Sequence, residues 1–224
     1  VSTDDAPAVG IGAFEEQDEL ARDERFVLLR ARRAADGASV LVKRPIAAAA
    51  AAPADIALLE RELELLRSLP IDAITRAHEL RVDGGRCALV LEDNGGKTLA
   101  ALTREVRAPL GWVLDYATQL TAVLAELHRC GVVHRSLRPQ VVLVEGAARR
   151  LRLTDFSAAS HGTAEGATPP PHLARSALAY AAPEVSGRIG HSCDYRSYFY
   201  ALGALLYEML CGHLPFAETE ALAL

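Results

Sequence analysis

The stretch VVHRSLRPQVVLV, residues 132–144, is followed closely by LTDFS, residues 153–157. At this point of the chain two short β-rich runs, 141–144 and 151–153, flank the turn Glu145-Gly146. Two short strands joined by a tight turn are therefore expected here, and the segments on either side indicate the kind of fold that contains them.

A long helix is predicted immediately before this stretch. Apolar residues recur at helical spacing through residues 111–130, which predicts a long buried helix, and Gly131 ends the pattern. After the stretch, residues 157–176 form a loop rich in Pro, Ser and Ala, and a last apolar helix is predicted at about 198–211. This part of the chain is therefore expected to be mostly helical.

The first part of the chain is predicted to be mostly β. Strand runs are predicted at 26–30, 39–43, 78–82 and 86–91. Asp36-Gly37 lies between the first two runs and Asp83-Gly84-Gly85 between the last two, and Asp-Gly favours a hairpin turn. A helix with one apolar stripe is predicted at 54–68, and Pro70 stops it.

These elements predict an α+β protein with two lobes, a small β-rich lobe with one main helix and a larger, mostly helical lobe. The expected divisions are a flexible N-terminal segment at 1–13, the small lobe at 14–93, a hinge at 94–97 and the large lobe at 98–224. The last residues resemble the start of a helix, so we expect a large lobe that is incomplete at its C-terminus, in a fragment of a longer polypeptide. The cleft between two lobes is a common place for a ligand.

Composition excludes several classes of protein. The chain has 224 residues, of which 50% are hydrophobic and 24% charged, and its formal net charge is −5. Because there is no basic stripe, we expect no nucleic-acid partner. The 4 cysteines are scattered without a CxxC pair, so we expect no zinc site and a reducing, cytoplasmic environment. The apolar segment 199–211 contains Glu208 and is too short to cross a bilayer, so no membrane segment is expected.

Seven short motifs occur in the order in which the protein kinase family has them. They are VLVK (40–43), RELELLRSL (61–69), LVLED (89–93), VVHRSLRPQVVLV (132–144), LTDFS (153–157), YAAPE (180–184) and DYRSYFYALGALLYEMLCGHLPF (194–216). The chain therefore resembles a serine/threonine-type protein kinase along nearly its whole length. The segments LVLEDNGGKTL and GHLPF are most similar to the kinase-like module at the start of large bacterial multidomain sensor proteins.

This resemblance implies ATP and Mg²⁺ as cofactors, because phosphoryl transfer depends on positioning the nucleotide and its metal. Lys43 matches the lysine that pairs the α- and β-phosphates, and Glu62 matches the helix glutamate that holds this lysine. Asp155 matches the Mg²⁺-binding aspartate. The residues that match the adenine-contacting segment and the floor beneath adenine are Leu91, Glu92, Asp93 and Leu143. A stacked hydrophobic column that links the lobes is matched by Leu66, His134 and Phe156.

The chain departs from the family where the chemistry occurs. Ser136 stands in place of the aspartate that accepts the substrate proton, and a serine has no useful basicity near neutral pH. Val141 replaces the asparagine that binds a second Mg²⁺, Arg138 replaces a lysine, and Ser157 replaces the glycine of the DFG motif. We therefore expect impaired catalysis and assign no catalytic residue.

The segment that covers the phosphates in the family also differs here from the family pattern. Residues 20–29, LARDERFVLL, contain none of the glycines that let the family's loop close over the phosphates, and Asp23 and Glu24 are expected to repel a phosphate. Leu41 replaces a small alanine, which is expected to narrow the adenine pocket. Tyr198 replaces the aspartate that holds the catalytic loop in the family.

Three functions are compatible with these residues. The first is a pseudokinase, a regulatory or scaffolding module of a larger bacterial signalling protein, with or without bound ATP. The second is an active serine/threonine kinase with an altered site. Its candidate self-phosphorylation sites are Ser160, Thr163, Thr168 and Ser176, and Arg135 would form an ion pair with a phosphate on one of them. The third is a protein-interaction module without nucleotide. The expected partners are other domains of the parent protein and protein partners or substrates.

Overall fold

A five-stranded antiparallel sheet forms the first part of the protein. The structure, a computed structural model, describes residues 14–46, 51–105, 107–161, 174–182 and 196–216. The strands of this sheet are β1 (Phe14–Arg22), β2 (Phe26–Arg33), β3 (Ser39–Pro45), β4 (Ala77–Asp83) and β5 (Arg86–Glu92). They lie in the order β1-β2-β3-β5-β4, and helix α1 (Pro53–Ser68) falls between β3 and β4 in the chain.

Alternation along the strands gives the sheet two different faces. On β3, Leu41 belongs to the main buried cluster, whereas Val40 and Val42 belong to a small cluster of the opposite face. Lys43 follows the alternation of Leu41, so the strand carries its side chain to the face of the main core. The predicted turn between β2 and β3 is confirmed, because Gly37 has the positive φ of 71° that this kind of turn requires.

Helix α1 carries one carboxylate on its apolar face. The buried apolar residues of this face are Leu58, Leu59, Leu65 and Leu66. Glu62 lies one helical turn from both Leu58 and Leu66, and only 1% of its surface is exposed. The helix begins at Pro53, which suits a first turn because proline has no N–H that would need a partner there. The spacing of α1 therefore places a charged group inside the core.

The described residues after β5 form helices and short strands. The helices are α2 (Leu99–Glu105), α3 (Leu110–Arg129), α4 (Arg175–Leu178) and α5 (Ser197–Cys211), and the strands are β6 (Lys97–Thr98), β7 (Val132–Val133), β8 (Val142–Glu145), β9 (Arg150–Leu153) and β10 (Ser160–His161). Strands β6, β8 and β9 form one small sheet in the order β6-β8-β9, and β10 pairs with β7. One continuous buried cluster contains residues of the first sheet, α1, α3 and α5.

The predicted α+β class and two-part order are confirmed, with two differences in detail. Strand β1 was not predicted, because it is an exposed edge strand whose charged residues lack the apolar alternation by which strands are recognised. Helix α3 is not buried on all sides, since Leu110, Trp112 and Leu114 are exposed on it.

Some of the predictions concern residues outside the described ranges. These include the flexible segment 1–13, much of the loop at 157–176 with Thr163 and Thr168, and part of YAAPE. The divisions at 14–93, 94–97 and 98–224 stay predictions. Within the described ranges, no helix has the length and apolar character that a bilayer crossing requires.

Candidate functional site

Three charged side chains from distant parts of the chain meet between the first sheet and the helical part. Lys43 lies on β3, Glu62 lies on α1, and Asp155 follows β9. The Nζ of Lys43 donates to Oε2 of Glu62 at 2.5 Å and to Oδ1 of Asp155 at 2.6 Å. The structure therefore brings together three of the residues that the sequence predicted for the site.

The second carboxylate oxygen of Glu62 connects this cluster to the buried core through a hydrogen bond. Its Oε1 accepts the backbone N–H of Phe156 at 2.7 Å. Burial raises the pKa of Glu62 against the attraction of Lys43. The Phe156 ring meets the His134 ring edge to face, with ring centroids 4.6 Å apart, and Leu66 belongs to the same buried cluster. The residues of the predicted hydrophobic column thus share one core.

A second cation, Arg138, binds the other oxygen of Asp155. Its Nη2 donates to Asp155 Oδ2 at 2.8 Å, while its Nη1 donates to the Ser136 hydroxyl and, at 3.2 Å, to the Ser136 carbonyl. The Ser157 hydroxyl donates to Asp155 Oδ1 at 2.6 Å. Both carboxylate oxygens of Asp155 are therefore occupied by donors of this chain. The sequence marked Arg138 only as a replaced lysine and did not predict this contact.

Lys43 and Asp155 stabilise each other's charged forms, and Arg138 adds to the stabilisation of the Asp155 carboxylate. Burial opposes ionisation of Asp155, but Lys43 and Arg138 outweigh it and hold the pKa of Asp155 well below its ordinary value. Burial likewise favours the neutral amine of Lys43, but the charges of Asp155 and Glu62 raise its pKa. Asp155 and Lys43 are therefore both charged at neutral pH.

The turn between β1 and β2 brings a further carboxylate to this cluster. The Oδ1 of Asp23 accepts the N–H groups of Arg25 at 2.8 Å and of Phe26 at 2.7 Å, which fixes the turn. Its Oδ2 lies 3.9 Å from Nη2 of Arg138, and only 5% of the Asp23 side chain is exposed. Asp23 therefore lies inside the cleft, at the place where the family covers its phosphates with glycines.

Two other residues of this turn region hold it against the rest of the molecule. The Phe26 ring is 3% exposed, and the Nζ of Lys43 lies 5.2 Å from its centroid. Glu24 accepts the backbone N–H of Arg175 at 3.0 Å. One small cavity is lined by residues of this turn and of the charge cluster, namely Asp23, Phe26, Lys43, Arg138 and Asp155. The turn is therefore packed onto the charge cluster.

Residues 27–223 match the family model described as the protein kinase domain. The chain belongs to the protein kinase family. CBL-interacting protein kinase 4 of Oryza sativa subsp. japonica is 32% identical over 215 residues, which cover 94% of this chain and 47% of that protein. Serine/threonine-protein kinase pkn2 of Myxococcus xanthus is 31% identical over 161 residues, covering 70% of this chain and 19% of that protein. The putative ribosomal protein S6 kinase alpha-1 of Caenorhabditis elegans is 30% identical over 194 residues, covering 86% and 24%. The chain thus spans less than half the length of each of these relatives.

The apolar residues that were predicted to lie around adenine are buried. Leu91 and Leu143 are 0% and 5% exposed, and both belong to the main buried cluster. Leu41, predicted to narrow this pocket, is 0% exposed. Leu91 and Leu143 therefore belong to the core of the kinase domain, whereas Glu92 and Asp93 are half-buried. The contact of these four residues with a base stays a prediction.

Several polar groups of the segment predicted to contact adenine already have partners within the protein, whereas the buried Glu92 Oε2 has none among the described residues. The Asp93 carboxylate accepts from Arg30 at 2.8 Å, from the Ser39 hydroxyl at 2.6 Å and from the Gly95 N–H at 2.9 Å. Burial opposes its ionisation, but these donors lower the pKa of Asp93. The Glu92 N–H donates to the Arg76 carbonyl at 2.9 Å. Any contact of this segment with adenine would therefore use the backbone groups that are left.

Protein kinases use ATP and Mg²⁺, and of the two residues here that match the family's metal ligands one is replaced and the other is engaged by side chains of this chain. Mg²⁺ requires an octahedral set of oxygen ligands, of which the protein usually supplies one or two and water and phosphate the others. Val141 offers none, and both oxygens of Asp155 accept hydrogen bonds from Lys43, Arg138 and Ser157. Within the described ranges, no group of three or more His, Cys, Asp or Glu side chains is placed to hold a metal. Lys43 keeps the position that suits a nucleotide phosphate, with Asp23 as a competing anion.

Tyr198 performs the structural role of the aspartate that it replaces. The backbone N–H of His134 donates to the Tyr198 hydroxyl oxygen at 2.6 Å, and that hydroxyl donates to the Val132 carbonyl at 2.9 Å. The tyrosine is 5% exposed at the start of α5, and it holds the loop that carries Ser136. The sequence marked Tyr198 as a lost function, whereas the structure gives it the same task through a different group.

Replacing Tyr198 by phenylalanine is expected to lower the free energy of unfolding by about 2 kcal/mol, because a buried N–H and a buried carbonyl then lose their partner. Urea unfolding measures this change. The matched control is Tyr200→Phe on the same helix, where we expect a change within about 0.5 kcal/mol. Equal effects of both substitutions would contradict a holding role for the Tyr198 hydroxyl.

Proposed function

We propose that this chain is a pseudokinase, a kinase domain that transfers no phosphate at an ordinary rate and serves as a regulatory or scaffolding module. The proposal depends above all on Ser136. This residue takes the place of the aspartate that accepts the substrate proton in the family. It is 3% exposed, and its hydroxyl accepts a hydrogen bond from Arg138. A neutral hydroxyl paired with a guanidinium has no affinity for a proton near neutral pH.

The size of the missing contributions supports this proposal. A general base is typically worth about 10²–10⁴-fold in rate, and ordinary protein kinases turn over at about 1–100 per second. Loss of the base alone would leave slow transfer. The chain also lacks the second metal ligand at Val141 and the glycines of the phosphate-covering turn, so the positioning on which phosphoryl transfer depends is weakened as well.

The wider role follows from the length and the relatives of the chain. Because the chain spans less than half of the relatives described above, we assign it to a larger signalling protein whose other domains are its first partners. One of those relatives comes from the bacterium Myxococcus xanthus, and the segment LVLEDNGGKTL resembles bacterial sensor proteins, which supports a bacterial signalling role. We place this role in the cytoplasm, and the free thiols of Cys87, Cys130 and Cys211 are compatible with that proposal.

A direct test is phosphate transfer from γ-labelled ATP to a general protein acceptor in the presence of Mg²⁺. We expect the purified chain to transfer label at least about a hundredfold more slowly than an ordinary kinase. Asp155→Ala is the control, because label that is still transferred by this variant comes from a contaminating kinase. Transfer at an ordinary rate that Asp155→Ala abolishes would overturn the proposal.

An active kinase with an altered site is the second candidate, and one observation favours it. The ion pair of Lys43 and Glu62 is formed at 2.5 Å, with Asp155 beside it, as a kinase needs for holding ATP. Phosphate on Ser160, Thr163, Thr168 or Ser176 after long incubation with Mg-ATP, detected by mass spectrometry and absent from Asp155→Ala, would decide for this candidate.

A further inference from the structure

The carboxylate that matches the family's Mg²⁺ ligand, Asp155, is engaged by a fixed cation of this chain, Arg138. We propose that the Arg138 guanidinium takes the part of the divalent cation, so that nucleotide phosphates bind here without Mg²⁺ and in competition with the Asp23 carboxylate. The ligand class is a nucleoside di- or triphosphate. This inference rests on the proposed function, because a domain that transfers no phosphate does not need a metal to stabilise the transferred group.

Arg138 has the position and the spare donor that this role requires. Arg138 is 3% exposed, and its guanidinium binds the carboxylate that holds Mg²⁺ in the family, with 2.8 Å between Nη2 and Asp155 Oδ2. Its Nε is buried and has no hydrogen-bond partner among the described residues. Arg138 and Lys43 line the same cavity. A guanidinium presents its N–H groups in a planar fork that matches the oxygens of a phosphate.

A metal ion would have to displace this cation. For Mg²⁺ to bind Asp155, at least one of the donors Lys43, Arg138 and Ser157 must leave a carboxylate oxygen. Displacing Arg138 would leave a buried guanidinium without its counter-charge, which is strongly unfavourable. A phosphate meets less of this obstacle, because the Nε of Arg138 and one N–H of Lys43 are left to donate to it while both side chains keep their bonds to Asp155.

Asp23 is the anion that a phosphate must compete with. Its Oδ2 lies 3.9 Å from Arg138 Nη2, in a turn that packs onto the cleft through Phe26. Lys43 and Arg138 are the two cations of the cluster, and they face the carboxylates of Glu62, Asp155 and Asp23. A phosphate that enters while Asp23 is in place meets a like charge next to its own ligand, so Asp23 sets the affinity of the site.

The test is the affinity for ATP measured by titration calorimetry, once with Mg²⁺ and once with EDTA. The variant is Asp23→Asn, because asparagine keeps the Oδ1 that accepts the Arg25 and Phe26 N–H groups and removes only the charge. We expect Asp23→Asn to bind ATP at least about tenfold more tightly than the wild type. We expect the affinity of each protein to agree within about twofold between the Mg²⁺ and EDTA buffers.

Two further variants make the result specific. Asp18→Asn is the same substitution on the exposed strand β1 and is expected to leave ATP affinity at the wild-type value. Arg138→Met in the Asp23→Asn background is expected to lose the gain in EDTA, and thermal unfolding without ligand shows whether it is folded. If it is not, Arg138→Lys, which keeps the charge but not the fork, is expected to retain only part of the gain.

The outcomes separate this inference from the proposed function. An affinity that appears only with Mg²⁺, an Asp23→Asn variant no tighter than the wild type, or no ATP binding by either protein overturns the inference while phosphate transfer stays untouched. Ordinary transfer rates overturn the proposed function and are read from a different assay. A gain that is equal in Mg²⁺ and EDTA, and absent from Asp18→Asn, supports the inference.

Discussion

Glu62→Gln is expected to lower the free energy of unfolding by about 3 kcal/mol, toward the lower end of the cost of breaking a buried ion pair. Glu62 is 1% exposed, and its two oxygens serve Lys43 Nζ at 2.5 Å and the Phe156 N–H at 2.7 Å. A glutamine has one acceptor oxygen for these two donors and no charge. One buried donor therefore loses its partner, while Lys43 keeps Asp155.

The pKa of Glu62 gives this prediction a second part. Burial raises that pKa against the attraction of Lys43, so much of the favourable interaction only offsets the cost of removing both charges from water. Lys43→Met combined with Glu62→Leu removes both charges together. We expect this double variant to cost at least about 1 kcal/mol less than the sum of the two single substitutions.

Urea unfolding of the wild type, Glu62→Gln, the two single variants Lys43→Met and Glu62→Leu, and their double variant, followed by circular dichroism, measures both parts. Glu64→Gln is the matched control, because Glu64 is exposed on the same helix and its loss is expected to cost less than about 0.5 kcal/mol. If Glu62→Gln lies within the range of this control, the ion pair does not contribute to folding. If the double variant costs the full sum, the two charges act independently.

The sequence motifs predicted the three charged residues of the site, because holding a nucleotide and its metal requires particular charges at particular positions. Lys43, Glu62 and Asp155 were assigned by their neighbours in the sequence, and they meet within 2.6 Å. The strands and helices around them were predictable for a related reason, because alternation and helical spacing are local properties of the sequence. Strand β1 was missed because an exposed edge strand does not need that alternation.

The contacts that change the chemistry were not predictable, because they depend on side chains that fill space left by a substitution. Arg138 donates to both Asp155 and the short side chain of Ser136, and Asp23 lies in the cleft on a turn that contains no glycine. Tyr198 holds its loop through a hydroxyl where an aspartate would use a carboxylate. A sequence motif shows which group is missing, whereas the three-dimensional structure is needed to show which group replaces it.

His134 lies beside these substitutions and gives the molecule a pH dependence in its stability. The ring is 0% exposed, and its Nε2 lies 3.2 Å from the Thr154 carbonyl, which makes Nε2 the protonated nitrogen of a neutral ring. Burial lowers the pKa of His134 from 6.5 to about 4; Asp155 opposes this shift, while Arg138 and Lys43 add to it.

A lowered histidine pKa means that the unfolded chain binds a proton more readily than the folded chain. The contribution of His134 to stability is therefore fully present above pH 6.5 and is lost as the pH falls toward about 4. Since one pKa unit corresponds to about 1.4 kcal/mol, the expected loss across this interval is about 3 kcal/mol. Other groups titrate in the same interval, so the informative quantity is the difference between the wild type and His134→Phe.

Urea unfolding at a series of pH values from about 7 to about 4 measures this difference. We expect the free energy of unfolding of the wild type to fall by about 3 kcal/mol more than that of His134→Phe, whatever the absolute stability of the variant. His78→Gln, on the exposed part of β4, is the control for a histidine outside the core. Parallel profiles for the wild type and His134→Phe would mean that His134 gains a proton in the folded protein as easily as in the unfolded one. In that case the neutral form of the His134 ring would not help to hold the loop that carries Ser136 against the charge cluster.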